Sequence, residues 1–109
     1  MQVLQVINQV GPLPLKATFS APLDGPAVFV VTGSLWSQTA NVLLTMAVAL
    51  DGQPIGTAQI WSNGVSTHRA MPALFIGVPL TYGQHTITLT AGANVISDPN
   101  DMFNVSLIY

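Results

Sequence analysis

Cysteine and glutamate are absent from the sequence, and only six of its 109 residues are charged. Without cysteine the chain has neither a disulfide framework nor a thiolate metal site, so its stability must come from packing. Without glutamate, and with four scattered aspartates, a mechanism based on paired carboxylates has few residues to use. Two basic residues and a net charge of −2 exclude the clustered basic surface that nucleic-acid binding needs.

Long apolar runs are also missing. The longest extends from Val42 to Leu50, is interrupted by Thr45 and ends at Asp51-Gly52, whereas a membrane-spanning helix needs about 20 apolar residues. The N-terminal segment has no positive residue before Lys16 and lacks the pattern of a signal peptide. We therefore expect cytoplasmic synthesis, followed by release without a signal peptide or by association with a virion or similar particle.

The shortage of charge has a consequence for assembly. Half of the residues are apolar and 6% are charged, against about 25% charged in a typical soluble domain. Polarity comes instead from Gln, Asn, Thr and Ser, which pair across interfaces without the cost of burying an ion. Such a chain is expected to bury much of its exterior against copies of itself. The composition therefore predicts an obligate homo-oligomer.

Strand-length segments fill the spaces between eight prolines and nine glycines spread along the chain. In Gln84–Ala91, Ile87 and Leu89 share one face while threonines share the other, which is typical of a half-buried strand. Ala27–Leu35 is apolar on both faces and predicts a strand covered on both sides. No linker or repeat divides the sequence, so residues 1–109 form a single domain.

The segment Asn41–Leu50 is ambiguous, because its Ala, Leu and Met content also suits a helix. Asp51-Gly52 is a strong two-residue hairpin signal, and Gln53–Trp61 supplies a partner strand. This favours the hairpin over the helix. About eight strands with turns at regular spacing predict an all-β fold, an antiparallel β-sandwich or jelly roll.

Two segments resemble the jelly roll of the C1q and tumour-necrosis-factor superfamily. Leu80–Leu89 is similar to that family's turn glycine leading into an alternating strand, and Phe103–Tyr109 to the strand that closes C1q-like domains. The resemblance implies a homotrimer, with apolar and aromatic side chains meeting at a threefold axis. Bacterial and phage members of this type serve as lectins or tail-fibre tips. The axis residues that it implies are Phe103, Leu107 and Tyr109.

No catalytic motif is present. His68 and His85 lie apart, without the spacing of a metal-binding motif. Ser66 lies two residues before His68, but the surrounding segment is not a nucleophile elbow and offers no acid to orient the histidine. We therefore predict that the protein is not an enzyme.

The densest group of recognition side chains lies between Trp61 and Arg69. An aromatic face can stack on a sugar ring, and the neighbouring polar groups can bond hydroxyls. In the alternative interpretation Trp61 belongs to the core, and Arg69 pairs with an aspartate or caps carbonyls at a subunit contact; Trp36 has the same ambiguity. The candidate ligand-binding residues are Trp36, Trp61, Asn63, Ser66, His68 and Arg69.

The segment Ser97–Asp101 offers oxygen ligands within one loop. Asp98, Asn100 and Asp101 are the candidate metal ligands, and calcium is the ion they would suit. The alternative is an ordinary turn in which Asp and Asn side chains bond their own backbone. No other cofactor is predicted.

The leading hypothesis is a non-enzymatic homotrimeric binding module that recognises carbohydrate or a cell surface. Repeated weak sites on a symmetric oligomer give avidity for a multivalent target. The alternative is a structural subunit of a phage tail, capsid decoration or similar particle, without a small-molecule ligand. The expected partners are copies of the chain and glycans or a cell-surface receptor, with no nucleic acid and no membrane insertion.

Overall fold

The computed structural model describes all residues from 1 to 109 and contains ten β-strands. Eight are long and two have only two residues. None of its segments forms a helix of the length and apolar character needed to cross a bilayer. The strands are β1 (Val3–Val10), β2 (Leu15–Ala21), β3 (Gly25–Thr32), β4 (Ser34–Leu35), β5 (Val42–Leu50), β6 (Gln53–Ser62), β7 (Arg69–Ala70), β8 (Leu74–Leu80), β9 (Gly83–Ala91) and β10 (Met102–Ile108).

The long strands form two four-stranded sheets. The front sheet has the order β1-β10-β3-β8 and the back sheet the order β2-β9-β5-β6, while β4 and β7 pair separately. Every pairing is antiparallel. Apart from the β5–β6 hairpin, which lies within the back sheet, each long strand is followed by one in the other sheet, in the manner of a jelly roll. The prediction of an all-β antiparallel sandwich with about eight strands is confirmed.

The core lies between the sheets and follows the period-two alternation of the strands. In β9, Ile87 and Leu89 are fully buried while Thr86, Thr88 and Thr90 point outward. Apolar residues on the inner face of each neighbouring strand meet them. The sequence pattern therefore predicted the correct buried face of this strand.

The placement of Phe103 and Leu107 at a trimer axis is wrong. Both side chains are fully buried in the core of their own chain, because they lie on the inner face of β10. Tyr109 is half-buried and also packs against this core. Strand alternation turns Met102 and Ile108 outward instead.

The hairpin at Asp51-Gly52 is confirmed. Asp51 has a φ of 51° and Gly52 a φ of 80°, the positive values that a type I′ turn requires at both central residues. The strands on either side pair from Val42 opposite Ser62 to Leu50 opposite Gln53. The helical alternative for this segment is thereby excluded.

Gly33 divides the segment that the sequence predicted as one strand. The front-sheet strand ends at Thr32, and Ser34–Leu35 pairs instead with Arg69–Ala70. A Cβ atom on Gly33 would lie 2.5 Å from one carbon of the Phe103 ring and 2.8 Å from another. The glycine therefore allows the backbone to pass close over a buried aromatic ring.

The two ends of the sandwich differ in their connections. At one end the strands are joined by residues 22–24, 51–52 and 81–82 only; we call this the short-turn end. At the other, residues 11–14, 33–41, 63–73 and 92–101 connect the strands and include β4 and β7; we call this the long-loop end. Binding residues are usually carried by loops on a rigid scaffold, so the long-loop end is the first place to look for a site.

A histidine ties two turns together at the short-turn end. His85 Nδ1 lies 2.6 Å from Asp51 Oδ2, and its Nε2 lies 2.7 Å from the carbonyl oxygen of Thr81. Both partners are acceptors, so the ring donates from both nitrogens when it is protonated. The hydrogen bonds to Asp51 and then to Thr81 raise the pKa of His85. Two hydrogen bonds lower the pKa of Asp51: the one from His85 has the larger effect, and the one from the N–H of Thr86 adds to it.

These shifts predict a stability maximum between about pH 4 and pH 6.5. The raised pKa of His85 contributes stability that is complete below its unfolded value and is lost as pH rises through the folded value. The lowered pKa of Asp51 contributes stability that is lost as pH falls through its folded value, below the ordinary 3.8. Because Asp51 is half exposed, we expect a loss of only about 1 kcal/mol between pH 6 and pH 9. Urea unfolding at both pH values measures this loss. His85→Gln should keep only the share that comes from His68, whose pKa is also raised, and a loss equal to that of the wild type would contradict the assignment to His85.

Candidate functional site

Three long connections are joined by backbone hydrogen bonds at the long-loop end. Trp36 and Ile96 exchange two such bonds, of 3.0 and 2.8 Å. The N–H of Ser66 donates to the carbonyl of Ser37 at 2.7 Å, and Ser37 Oγ donates to the carbonyl of Asn94 at 2.6 Å. The segments that follow β4, β6 and β9 therefore form one surface.

A buried carboxylate lies at the centre of this end. Asp101 is fully buried. Its Oδ1 accepts from Ser34 Oγ and from His68 Nδ1, both at 2.7 Å, and its Oδ2 accepts from the N–H of Asp98 at 2.9 Å. A buried carboxylate needs such donors to offset its desolvation. Asp101 thus connects three segments that are distant in sequence.

His68 lies between this carboxylate and solvent. The hydrogen bond to Asp101 raises the pKa of His68, and the charges of Asp101 and Asp98 act in the same direction. The His68 ring packs on Trp36 with ring centroids 5.5 Å apart and planes at 35°. Trp36 is half-buried, and its Nε1 is buried without a hydrogen-bond partner. The imidazole is therefore held in position from both sides.

Trp61 presents its side chain to solvent. It is 52% exposed, on the outer face of β6 opposite Leu43. Its Nε1 donates to Asn63 Oδ1 at 2.6 Å, which fixes the orientation of the indole. The alternative interpretation, in which Trp61 belongs to the core, is wrong. An exposed tryptophan held in one orientation is suited to stacking.

All six candidate ligand-binding residues lie at the long-loop end. The structure pairs Trp36 with His68 and Trp61 with Asn63. Ser66 is exposed and has a φ of 56°. Arg69 is half-buried in β7 and forms no ion pair.

The ligand-binding and metal-binding groups, which the sequence presented as two candidates, meet through the bond between His68 and Asp101. Ser34, a third member of this cluster, was not predicted. It is 67 residues away from Asp101 along the chain, and no local pattern marks a serine as the partner of a distant aspartate.

One group of side chains at this end has the composition of a metal site. Ligand atoms of His68, Asp98 and Asp101 lie within 4.8 Å of one another. The predicted set differs from it, because Asn100 contributes its backbone N–H to Asp98 Oδ1 at 2.8 Å, as in an ordinary turn. An imidazole with two carboxylates can hold a divalent ion. Calcium takes six to eight oxygen ligands, and the carboxylate of Asp101 already accepts three hydrogen bonds.

The pair of His68 and Asp101 has the geometry of a histidine oriented by an acid, but it lacks a nucleophile. His68 makes its hydrogen bond with Asp101, and the other ring nitrogen lies 3.8 Å from Asp98 Oδ2. Activation of a nucleophile needs a hydroxyl or thiol within hydrogen-bond reach of that nitrogen. What the arrangement does is hold the imidazole between the buried carboxylate and the Trp36 ring.

No protein-family profile matches the chain, and comparison with curated proteins finds no match. Solved structures with a similar backbone include a family 35 carbohydrate binding module from Clostridium thermocellum, with a TM-score of 0.57 and 13% identity, over 97% of this chain and 89% of that one. The sugar-binding C-terminal domain of EclA has a TM-score of 0.51 and 16% identity, over 97% of this chain and 75% of that one.

A cycloisomaltooligosaccharide glucanotransferase from Paenibacillus sp. is also similar, with a TM-score of 0.52 and 20% identity. The similarity covers 87% of this chain but spans only 13% of the length of that enzyme. At these identities the comparisons show the fold alone. The chain has a jelly-roll β-sandwich of the kind found in carbohydrate-binding modules.

Proposed function

We propose that the chain is a non-catalytic carbohydrate-binding module whose saccharide site lies at the long-loop end. The observation that carries the proposal is Trp61, which is 52% exposed and has its indole N–H tied to Asn63. Burying a large aromatic side chain normally stabilises a fold, so a tryptophan kept at the surface in a fixed orientation indicates a contact surface.

The neighbouring groups supply the polar part of such a site. The loop after Trp61 carries Asn63, Ser66 and His68, whose amide, hydroxyl and imidazole groups can bond sugar hydroxyls. Asp101 and Trp36 hold the imidazole in place, which reduces the ordering cost of binding. A saccharide ring stacked on Trp61, with its hydroxyls directed toward this loop, would contact both the aromatic ring and the polar side chains.

The structural neighbours support the ligand class. A family 35 carbohydrate binding module and a sugar-binding domain share this fold over most of the chain. The low net charge of −2 also suits a neutral, hydroxyl-rich ligand better than a charged polymer.

Affinity electrophoresis tests the proposal. Native gels would contain soluble xylan, mannan, mixed-linkage β-glucan, dextran or galactan. We expect at least one polysaccharide to retard the wild-type protein, and Trp61→Ala to weaken its binding by at least about 30-fold, which is about 2 kcal/mol. Tyr82→Ala is the matched control, because Tyr82 is an exposed aromatic at the short-turn end. Equal retardation of Trp61→Ala and wild type would contradict the proposed site.

The same gels separate a metal-free site from a calcium-dependent one. We expect binding without added metal, because hydrogen bonds within the protein already satisfy Asp101. Retardation that disappears in EDTA and returns with calcium chloride would instead assign the cluster of His68, Asp98 and Asp101 as a calcium site.

The second candidate is a structural subunit of a phage tail, capsid decoration or similar particle. The outer face of the front sheet favours it, because that face carries no charged residue and its polar groups are amides and hydroxyls. Absence of retardation by every polysaccharide, together with binding of the folded protein to a purified particle or fibre, would favour this role. The trimer implied by the C1q resemblance is a rival to the dimer proposed below: a solution mass of three times 11.5 kDa would support it, and residues other than Phe103 and Leu107 would have to form its axis.

A further inference from the structure

The two outer faces of the sandwich differ in chemistry. Outward positions of the back sheet are rich in threonine, glutamine and serine and include Lys16. The front sheet carries no charged residue on any of its four strands. Its outward side chains are apolar on β8 and toward the short-turn end, where they include Pro26, Val28, Val30, Phe75 and Ile108, while Gln5, Asn8, Thr32, Asn104 and Ser106 form a polar band across the other three strands.

A projecting aromatic and a depression lie side by side on this front face. Phe75 in β8 is 67% exposed. Two residues further along the same face, a Cβ atom added to Gly77 would meet no atom within 4 Å. The open space over Gly77 is an apolar depression of about 580 Å³, bordered by Pro26, Val28, Pro79 and Ile108.

We propose that two copies of the chain pair through their front sheets, each inserting Phe75 into the depression over Gly77 of the other. In a twofold interface, residue i of one copy contacts residue j of its partner and j contacts i. Phe75 and Gly77 are separated by two residues, about 7 Å along the strand. Two β8 strands in antiparallel orientation across a twofold axis would satisfy both contacts at once.

The absence of charge, together with the projecting Phe75 beside the depression over Gly77, favours a second copy as the occupant. A face without charge meets its own image without like-charge repulsion, whereas a charged partner would find nothing to pair with. Four strands about 4.8 Å apart and seven residues long give a flat footprint of roughly 440 Å². Projecting side chains raise the accessible area above this footprint, which by itself is about half of the roughly 800 Å² per partner of a standard stable interface, so the interface is a small one.

The position of the face makes the proposed dimer independent of saccharide binding. The front face lies on the side of the sandwich opposite the strand that carries Trp61, which belongs to the back sheet. The solution mass of the Trp61→Ala variant should therefore equal that of the wild type.

Light scattering on a sizing column, at low micromolar concentration, tests the dimer on the full chain. We expect a wild-type mass of twice 11.5 kDa, and a dimer dissociation constant at least about 30-fold higher in Phe75→Asp. Gly77→Val should have the same effect, because its Cβ enters the depression without meeting an atom of its own chain and the side chain then blocks the ring of Phe75 from the other copy. Leu43→Asp is the matched control, since Leu43 is an exposed apolar residue on the back sheet.

Circular dichroism melting establishes that each variant is folded before its mass is interpreted. A wild-type mass of 11.5 kDa or of three times this value would overturn the proposal. So would a dimer whose dissociation constant is the same in wild type, Phe75→Asp and Gly77→Val. Dissociation by Leu43→Asp alone would place the interface on the back sheet and would also overturn it.

Discussion

Replacing Asp101 with alanine is expected to lower the free energy of unfolding by about 3 kcal/mol. The carboxylate is fully buried and accepts hydrogen bonds from Ser34, His68 and the N–H of Asp98. Alanine would leave these donors without their acceptor, and an unsatisfied donor away from water costs about 1–3 kcal/mol. His68 recovers part of this loss because it reaches solvent, so the total stays below the sum of three full penalties.

Urea unfolding of wild type and Asp101→Ala measures this difference. Asp24→Ala is the matched control, because Asp24 also accepts a backbone N–H bond, from Tyr82, but is exposed. It should cost less than about 1 kcal/mol. The same cost for both substitutions would show that Asp101 does not hold the long-loop end together.

Replacing Gly33 with alanine is expected to destabilise the protein by about 2 kcal/mol. The new Cβ atom would lie 2.5 and 2.8 Å from carbons of the Phe103 ring, closer than real Cβ contacts allow. Phe103 is fully buried, so its ring has little space to move. Either the ring leaves its preferred position or the backbone shifts, and the core loses packing in both cases.

Gly77→Ala provides a control with the same chemical change, and it is measured at a protein concentration low enough for the chain to be monomeric. Its added Cβ would meet nothing within 4 Å, so the substitution should change the free energy of unfolding by less than about 0.5 kcal/mol. Thermal melting of both variants compares them directly. If Gly33→Ala and Gly77→Ala have the same melting temperature, the backbone at Gly33 does not approach the Phe103 ring closely enough to exclude a Cβ atom.

Much of the fold could be predicted from local sequence. The alternation of Ile87 and Leu89 with threonines follows directly from strand geometry. Asp51-Gly52 supplied both residues for a turn with positive φ, so it distinguished a hairpin from a helix. Both features are determined by residues that are adjacent in the sequence, so they can be predicted without knowledge of the tertiary structure.

The errors arise where distant segments meet. Gly33 ends β3 because of its contact with Phe103, which is 70 positions further along the chain, and no local pattern shows that contact. The misplacement of Phe103 and Leu107 arose in the same way. An apolar stripe on a terminal strand suits a subunit axis and a sandwich core equally, and only the position of the second sheet decides between them.

The candidate site was predicted in parts. The density of polar and aromatic side chains between Trp61 and Arg69, and of oxygen ligands between Ser97 and Asp101, indicated two separate loops. That these loops share one end of the sandwich follows from strand order, which the sequence does not contain. The bond between His68 and Asp101, which joins them, spans 33 residues.

The most direct test of the central claim is whether a saccharide covers Trp61. The sequence has two tryptophans, so Trp36→Phe leaves Trp61 as the single indole fluorophore; because Trp36 packs on His68, affinity electrophoresis must first show that this variant still binds the polysaccharide. Acrylamide quenching of this variant would be measured with and without the polysaccharide that most retards the wild type. A saccharide stacked on the ring should reduce the quenching constant at least about twofold, because it shields one indole face. An unchanged constant at saturating saccharide would contradict a binding site at the long-loop end.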